Sequence, residues 1–199
     1  QFLARLVDKR WSFAPVISLP NGVPIPSDVS TDKENIILWV WSVTYIKWIT
    51  QVAPLFQKIL TYNPTYRVVI LWDWPLRKTL EKEYPQFDRE GYQYPIPYYK
   101  KAKFLIFSSL WYENFPYVVL EAMSYSLCII RHNIGSAKEM FGYKKTWVLY
   151  NTLEELDQSL RALIDDEEKR LDLANAAYDH VRENYSLNKM FMNYNEVYS

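Results

Sequence analysis

The sequence predicts an α/β fold, a doubly wound, Rossmann-like parallel sheet followed by C-terminal helices. Apolar segments of strand length alternate along the chain with segments of helical periodicity. The apolar segments are continuous, which is typical of parallel strands covered by helices on both faces. We find no internal repeat and no low-complexity segment. In a sheet of this kind, ligands bind beyond the carboxyl ends of the strands.

Strands are predicted where β-branched and other apolar residues cluster over about five to seven positions. These segments are 16–19, 35–41, 66–72, 103–107, 127–131 and 146–150, with a further short strand and turn within 91–97. Pro20-Asn21-Gly22 is a turn signal that closes the first segment, and residues 24–34 are expected to form a linker.

Helices are predicted between and after these strands from the spacing of the apolar positions. They cover 1–9, 46–62, 75–84, 98–102, 116–125, 136–141, 153–163, 171–181 and 187–198. Pro54 should kink the second helix or mark a late start. Thr152 and Glu155 form a capping box, and Ser186 can cap the last helix.

Length and composition exclude several classes of protein. A chain of 199 residues predicts one domain, and 23 basic against 23 acidic side chains give no net field for nucleic acid. The single cysteine, Cys128, excludes a disulfide framework within the chain and is expected in a buried strand. No apolar run reaches the ~20 residues that span a bilayer and no signal peptide is evident, so we expect a cytoplasmic protein that touches membranes peripherally at most.

Residues 108–123 carry the chemistry. They read SSLWYENFPYVVLEAM, with Glu113 in a predicted loop and Glu121 along the following helix. Pro116 fits the first helical turn, where a missing N–H costs nothing. The amides and dipole of a helix start favour an anion such as a diphosphate. The two carboxylates can accept hydrogen bonds from sugar hydroxyls on either side, so this segment can hold a nucleotide sugar.

At these residues the chain resembles the retaining glycosyltransferases of family four, which have the GT-B fold and carry a Glu-x7-Glu motif in their C-terminal donor-binding domain. The resemblance extends upstream to Pro20-Asn21-Gly22-Val23, which is similar to the start of that domain. Downstream, Asn133-Ile134-Gly135-Ser136 with Glu139 resembles the family's Gly-Gly-x-x-Glu loop. Nearly the whole chain is covered.

The resemblance implies a role for each matching residue. Glu113 would contact the transferred sugar, Glu121 the ribose hydroxyls, and Lys47 the departing diphosphate, which makes Glu113 and Lys47 the expected catalytic residues. The amides of Phe115, Tyr117 and Val118 would face the diphosphate or sugar, whereas Pro116 has no amide hydrogen to donate. The remaining donor-binding residues implied are Ser109, Asn114, Gly135 and Glu139.

The chain also departs from the family pattern, mostly at glycines. Trp41 and Ser42 stand where the family has Gly and Arg, so one of two usual cations is missing. Two tryptophans, at 72 and 74, replace the glycines of a Gly-Asp-Gly-Pro pattern, as core aromatics or as a stacking surface for a base or sugar ring. Ser126 stands at a helix C-terminus, where glycine would relax a left-handed turn at a cost of about 1 kcal/mol to serine.

We expect no cofactor and no metal. His132, His180 and Cys128 are too widely spaced for a metal site, and a lone histidine is more often a core or solvated residue than a base. Residues 94–96 could hold the base through backbone groups. There is no phosphate-cradling glycine-rich loop.

The expected function, by resemblance, is transfer of a hexosyl group from a nucleoside diphosphate sugar to a hydroxyl acceptor with retention of configuration. The chain would be the donor-binding half over residues 1–199, inactive alone, with the N-terminal acceptor domain absent. The alternative is a catalytically inactive binding or interaction module of the same fold. Glycoside hydrolysis suits the loop-to-helix placement of the carboxylates less well, and an epimerase would need an acid and base pair that we do not find.

Overall fold

The structure is a computed structural model that describes residues 17–30, 32–40, 48–71, 77–113, 115–135 and 146–198. These residues form one parallel six-stranded sheet in the order β3-β2-β1-β4-β5-β6. The strands are β1 (Glu34–Val40), β2 (Arg67–Leu71), β3 (Asp88–Gly91), β4 (Ala102–Phe107), β5 (Cys128–His132) and β6 (Val148–Tyr150). The order reverses between β1 and β4, as in a Rossmann-like sheet, so the predicted fold class is confirmed.

Helices follow the strands and then complete the chain. They are α1 (Ile49–Tyr62), α2 (Arg77–Glu83), α3 (Ile96–Tyr99), α4 (Tyr117–Ser124), α5 (Leu153–Asp165), α6 (Glu167–Asn184) and α7 (Leu187–Tyr198). None of the helices in the described ranges is long and apolar enough to cross a membrane.

The sheet is covered on both faces, as its continuous apolar strands predict. Alternate residues of β1 serve opposite cores: Ile37 and Trp39 pack with α1 and α5, and Ile36 and Leu38 pack with α4 and the second half of α6. Each fully buried Leu or Ile side chain of this kind contributes about 1.5 to 3 kcal/mol to the free energy of unfolding. Cys128 is buried in β5, as expected.

Several element predictions are wrong in position. Residues 17–19 form no strand; among the residues that the structure describes, the first backbone pairing is a bridge between Val23 and Ser186. The short strand expected within 91–97 lies at 88–91 as β3, whose polar sequence Asp-Arg-Glu-Gly gives no apolar signal. The helical turn expected at 98–102 is α3, two residues earlier. Helix α1 begins at Ile49 and continues through Pro54. The helices predicted over 1–9 and 136–141 lie outside the described residues.

Ser126 adopts the left-handed conformation that the sequence indicates, with φ of 56°. Its amide donates to the carbonyl of Met123 (2.9 Å), and the amide of Leu127 donates to that of Ala122 (3.2 Å). These two bonds form a Schellman motif at the end of α4. Serine in this left-handed conformation costs about 1 kcal/mol of stability, a steric cost that glycine would not have.

The predicted caps at Thr152 and Ser186 are confirmed. Thr152 Oγ1 accepts from the amide of Glu155 (3.2 Å), and Ser186 Oγ accepts from that of Lys189 (3.3 Å). The Glu155 carboxylate, however, takes its short bond from the amide of Asn151 (2.7 Å), one residue before the cap. The box therefore closes one residue earlier than the standard pattern.

The segment around Val23 pairs with the junction between α6 and α7. The Val23 amide donates to the carbonyl of Tyr185 (2.8 Å), and the Leu187 amide donates to that of Val23 (3.2 Å). A Cβ added at Gly22 would lie 2.8 Å from the carbonyl oxygen of Ser186, so only glycine permits this approach. Gly22, the last residue of the predicted turn, therefore packs against the start of α7.

Candidate functional site

The candidate site is built on the β4–α4 loop, residues 108–116, which leaves the sheet where the strand order reverses. Ser108 and Ser109 at its start are buried. The indole Nε1 of Trp39, in β1, donates to Ser108 Oγ at 3.0 Å. This bond ties the end of β4 to the neighbouring strand, so the loop starts from a rigid position at the edge where ligands of such sheets bind.

Ser109 holds Glu113 from within the loop. Its hydroxyl donates to Glu113 Oε1 (3.3 Å) and accepts from the amide of Trp111 (3.1 Å). The Glu113 amide donates to the carbonyl of Trp111 (2.8 Å). These short-range bonds give the loop a compact turn in which the Glu113 side chain is half-buried.

Gly135 lies directly against Glu113. It has a positive φ of 66°, and an added Cβ would lie 3.2 Å from both the amide nitrogen and the carbonyl oxygen of Glu113. The structure thus brings together two residues that follow neighbouring strands, one after β4 and the other after β5. The contact requires a residue without Cβ, which explains why one of the chain's four glycines stands here.

Helix α4 presents its amino end to this loop. Its first hydrogen bond runs from the amide of Val119 to the carbonyl of Pro116 (3.0 Å), so the amides of Tyr117 and Val118 precede it. Pro116 is the N-cap residue, with ψ of 98°, and supplies no side-chain cap. The helix therefore starts one residue after the predicted position. Amide groups at such an end are suited to bind an anion.

Phe115 anchors the amino end of α4. Its ring contacts those of Tyr117 (5.6 Å between centroids) and Tyr185 (5.8 Å), both nearly edge-on. The side chain packs against the core on the α4 side of the sheet. The amides that follow it are consequently fixed in direction by side-chain packing.

Glu121 is half-buried on α4, one turn beyond the helix start. Its Oε2 atom accepts a hydrogen bond from the hydroxyl of Tyr99 at 3.4 Å. Burial raises the pKa of the Glu121 carboxyl, and the bond from Tyr99 acts in the opposite direction.

A buried arginine lies behind the loop. The Arg131 guanidinium sits between the rings of Phe107 and Trp147, 5.4 and 5.5 Å from their centroids, and its Nη2 donates to the carbonyl of Ile134 at 3.1 Å. Burial lowers the pKa of Arg131 to about 10, while the Glu113 carboxylate and Tyr150 act to raise it. Arg131 thus supports the turn that carries Gly135 and places positive charge behind Glu113. Its role was not predicted from the sequence, although a charge directly after the apolar run 127–130 was a usable signal.

His132 holds the loop from β5. Its Nδ1 lies 3.2 Å from the carbonyl oxygen of Ser109, so Nδ1 carries the hydrogen of this bond. The ring contacts those of Trp48 (5.2 Å) and Tyr150 (5.4 Å). These contacts fit the structural role that the sequence favours for a lone histidine.

Three of the expected site residues lie outside the described residues: Lys47, Asn114 and Glu139. The same holds for Trp41, Ser42, Trp72, Trp74 and Ser136, where the chain departs from the family pattern. Their roles stay predictions. Across the ranges that the structure does describe, no three His, Cys, Asp or Glu side chains form a group that could hold a metal ion.

Comparisons with known proteins agree on the fold. The model of the family described as "Glycosyl transferases group 1" matches residues 25–180. A glycosyltransferase from Rickettsia africae has a TM-score of 0.83 and 17% identity over 99% of this chain. A mutant TarM from S. aureus in complex with Fondaparinux, alpha-GlcNAc-glycerol and UDP has a TM-score of 0.82 and 12% identity over 100%. Anabaena HepE in complex with UDP and glucose has a TM-score of 0.78 and 16% identity over 98%.

At identities this low, the structural similarity shows a shared fold and nothing more specific. This chain spans 60%, 42% and 60% of those three chains, respectively. No curated protein matches it.

Proposed function

The chain belongs to the group 1 glycosyl transferases, and from this premise we propose that it binds a nucleoside diphosphate sugar as the donor-binding half of a GT-B enzyme. The proposed reaction is transfer of a hexosyl group to a hydroxyl acceptor with retention of configuration. We further propose that the reaction is metal-independent and takes place in the cytoplasm.

The observation that carries the proposal is the support of Glu113 at the point where the strand order reverses. Ser109 fixes its carboxylate, Gly135 packs on its backbone, and the Arg131 charge lies behind it. The acidic side chain at the edge of the sheet is thus held from within its own loop and from the turn after β5, and it interacts electrostatically with β5. A carboxylate held in this way can accept hydrogen bonds from the hydroxyls of the transferred sugar, and fixed orientation reduces the entropy cost of reaching the reactive geometry.

The amino end of α4 is the proposed diphosphate site. The amides of Phe115, Tyr117 and Val118 would stabilise the charge that develops as the diphosphate departs, because fixed donors need no reorganisation during the reaction. Lys47 would add a positive charge. Glu121, along the same helix, would accept from the ribose hydroxyls.

The acceptor is proposed to bind to a part of the enzyme outside this chain. The chain spans at most 60% of the three solved structures compared above. We therefore expect donor binding but no transfer by the 199-residue chain alone.

Isothermal titration calorimetry with UDP, GDP, ADP and their sugars tests the proposal. UDP is the first ligand to test because HepE and TarM were solved with it. We expect one nucleoside diphosphate to bind, with the same affinity in the presence of EDTA. If none of the three binds, the donor-binding proposal is wrong.

The variant Glu113→Gln tests whether Glu113 contacts the sugar or the nucleotide part of the donor. We expect this variant to bind the nucleotide sugar about tenfold or more weakly, since a carboxylate contact to a hydroxyl is lost, and to bind the free nucleotide normally. An equal loss for both ligands would contradict contact with the transferred sugar.

The alternative function is a binding module that keeps the fold without catalysis. It is favoured by Trp41 and Ser42, which replace the Gly and Arg of the family pattern and remove one cation from the proposed diphosphate site. Joining the chain to an acceptor domain of a related enzyme would distinguish the two. As a control, the same acceptor domain is joined to a catalytic donor domain, which should restore transfer. If the chimera with this chain binds a nucleotide but transfers no sugar, the binding module is favoured.

A further inference from the structure

Lys33, just before β1, is a buried lysine whose amine is fully used. Its Nζ donates to the carbonyls of Tyr99 (3.0 Å), Lys100 (3.0 Å) and Tyr125 (2.9 Å). An ammonium has three hydrogens, so each has an acceptor. Tyr99 and Lys100 end α3, and Tyr125 is the C-cap of α4. A single side chain therefore joins the carboxyl ends of α3 and α4.

Tyr99 is held at both of its ends. Its carbonyl accepts from Lys33, and its hydroxyl donates to Glu121 Oε2 at 3.4 Å. The ring has no solvent exposure and stacks on that of Tyr125, with 6.0 Å between centroids and 30° between planes. A ring confined in this way has no freedom to withdraw its hydroxyl from the carboxylate.

The bond from Tyr99 leaves Glu121 able to bind a further donor. An ionised carboxylate has two oxygens and about four acceptor positions, of which Tyr99 occupies one on Oε2. The 3.4 Å distance is long for a hydroxyl donor, so the bond is weak and leaves the carboxylate able to accept from a ligand. Within the described ranges no hydrogen bond reaches Oε1, so this oxygen can accept from the hydroxyls of a ligand.

We propose that Tyr99, anchored by Lys33, is a positioning residue that orients the Glu121 carboxylate toward the hydroxyls of the donor's ribose. This inference rests on the proposed function, because Glu121 receives its ribose role there. The consequence is selectivity for ribonucleotides: a carboxylate held in place for hydroxyls loses its partners when a deoxynucleotide binds, and sites of that kind discriminate strongly. Tyr99 would act on this selectivity without touching the ligand.

The test compares UDP with 2′,3′-dideoxyuridine diphosphate by calorimetry, or the corresponding pair for whichever base the chain prefers. Tyr99→Phe removes the hydroxyl and keeps the ring stacked on Tyr125. We expect it to weaken binding of the ribonucleotide about threefold to tenfold and to leave binding of the dideoxynucleotide unchanged. Lys33→Met should also reduce the ratio of ribonucleotide to dideoxynucleotide affinity, because the end of α3 loses its hydrogen bonds to Lys33.

Tyr66→Phe is the matched control. Tyr66 is another buried tyrosine, located before β2 in the core on the opposite face of the sheet from Tyr99, and its ring contacts Phe104. We expect this variant to keep the wild-type ratio of the two affinities. Thermal unfolding is measured for all variants. A purely structural role of Tyr99 would lower stability without changing the ratio of ribonucleotide to dideoxynucleotide affinity.

Glu121→Gln makes the outcomes distinguishable. If it reduces the ratio and Tyr99→Phe does not, or if Tyr99→Phe weakens both ligands equally, the positioning role is overturned and the proposed function stands. If Glu121→Gln leaves UDP binding unchanged, the ribose role of Glu121 fails and the inference fails with it. If no nucleotide binds the wild-type chain, the proposed function itself is wrong.

Discussion

Gly135 and Glu113 are in backbone contact across two loops: a Cβ at residue 135 would lie 3.2 Å from the amide nitrogen of Glu113. Gly135 belongs to the turn after β5, and Glu113 to the loop after β4. The position of the acidic side chain thus depends on the absence of a side chain 22 positions later. This dependence can be tested directly.

Gly135→Ala should displace the β4–α4 loop. To make room for the new methyl group, the backbone of Glu113 must shift by a few tenths of an ångström. A φ of 66° also costs alanine about 1 to 2 kcal/mol. We expect weaker binding of the nucleotide sugar together with that loss of stability, measured by calorimetry and urea denaturation.

Gly91→Ala is the control for that experiment. Gly91 also has a positive φ, 69°, but it ends the edge strand β3. It should lose similar stability and keep the affinity for the nucleotide sugar. Equal losses of affinity in both variants would contradict the loop displacement.

Ser109→Ala should release the Glu113 carboxylate. The variant loses the bond to Oε1 and leaves the Trp111 amide without its acceptor, at a cost of about 1 to 3 kcal/mol in stability. We expect nucleotide-sugar affinity to fall with it. Thr152→Ala is the matched control, since it removes the cap of α5 for about 1 kcal/mol and is far along the chain from the loop. An unchanged affinity in Ser109→Ala would show that the loop does not need this bond.

Ser126→Gly should stabilise the protein. Glycine adopts a φ of 56° without the steric cost that serine has, so we expect the free energy of unfolding to rise by about 0.5 to 1 kcal/mol in denaturant titrations. Ser124→Gly, two residues earlier, should destabilise because Ser124 lies within α4 and its hydroxyl donates to the carbonyl of Glu121. Destabilisation in both variants would contradict the assigned strain.

Stability should fall in alkaline solution. Burial raises the pKa of the Cys128 thiol from 9.0 to about 12 and that of Tyr66 from 10.0 to about 12. Between these values the unfolded chain has released protons that the folded chain retains, so rising pH favours unfolding by up to about 1.4 kcal/mol per pH unit for each group.

Lys33 acts in the opposite direction over part of this range. Its pKa is lowered to about 8, mainly by burial and then by Arg170, so the folded state loses its proton first and gains stability between pH 8 and 10.5. Of these three groups only Lys33 contributes between pH 8 and 9, so we expect stability to rise there in urea titrations. It should change little from pH 9 to 10, where Cys128 offsets Lys33, and fall above pH 10, most steeply above pH 10.5. Cys128→Ala should reduce the slope above pH 9; the same slope as in the wild type would contradict a buried neutral thiol.

The sheet could be predicted from the sequence because its central strands are apolar on both faces. Strand β1, with Ile37 and Leu38 serving opposite cores, gives a signal that only a doubly covered strand explains. Strand β3 could not be found in this way, since an edge strand reading Asp-Arg-Glu-Gly obtains its pairing from β2 and not from burial. The single bridge at Val23 depends on the distant Ser186, which no local pattern reports.

Part of the candidate site could also be predicted from the order of strands and loops. Glu113, Gly135 and the start of α4 follow strands directly, so the topology itself brings them to one edge. Arg131 and Tyr99 act from beneath, through Ile134 and Glu121, and nothing in their local sequence shows the direction of a side chain. Supporting residues of this kind become visible only with tertiary structure.

The pairing of Val23 with Ser186 has a topological consequence. Both residues lie outside the strands, and the stretch between them, which contains β1 to β6, forms a body whose two ends lie at neighbouring points. Such a body is suited to insertion in a surface loop of an unrelated host, because both splice points would need almost the same location. The proposed nucleotide binding could then be transferred to another protein as one unit.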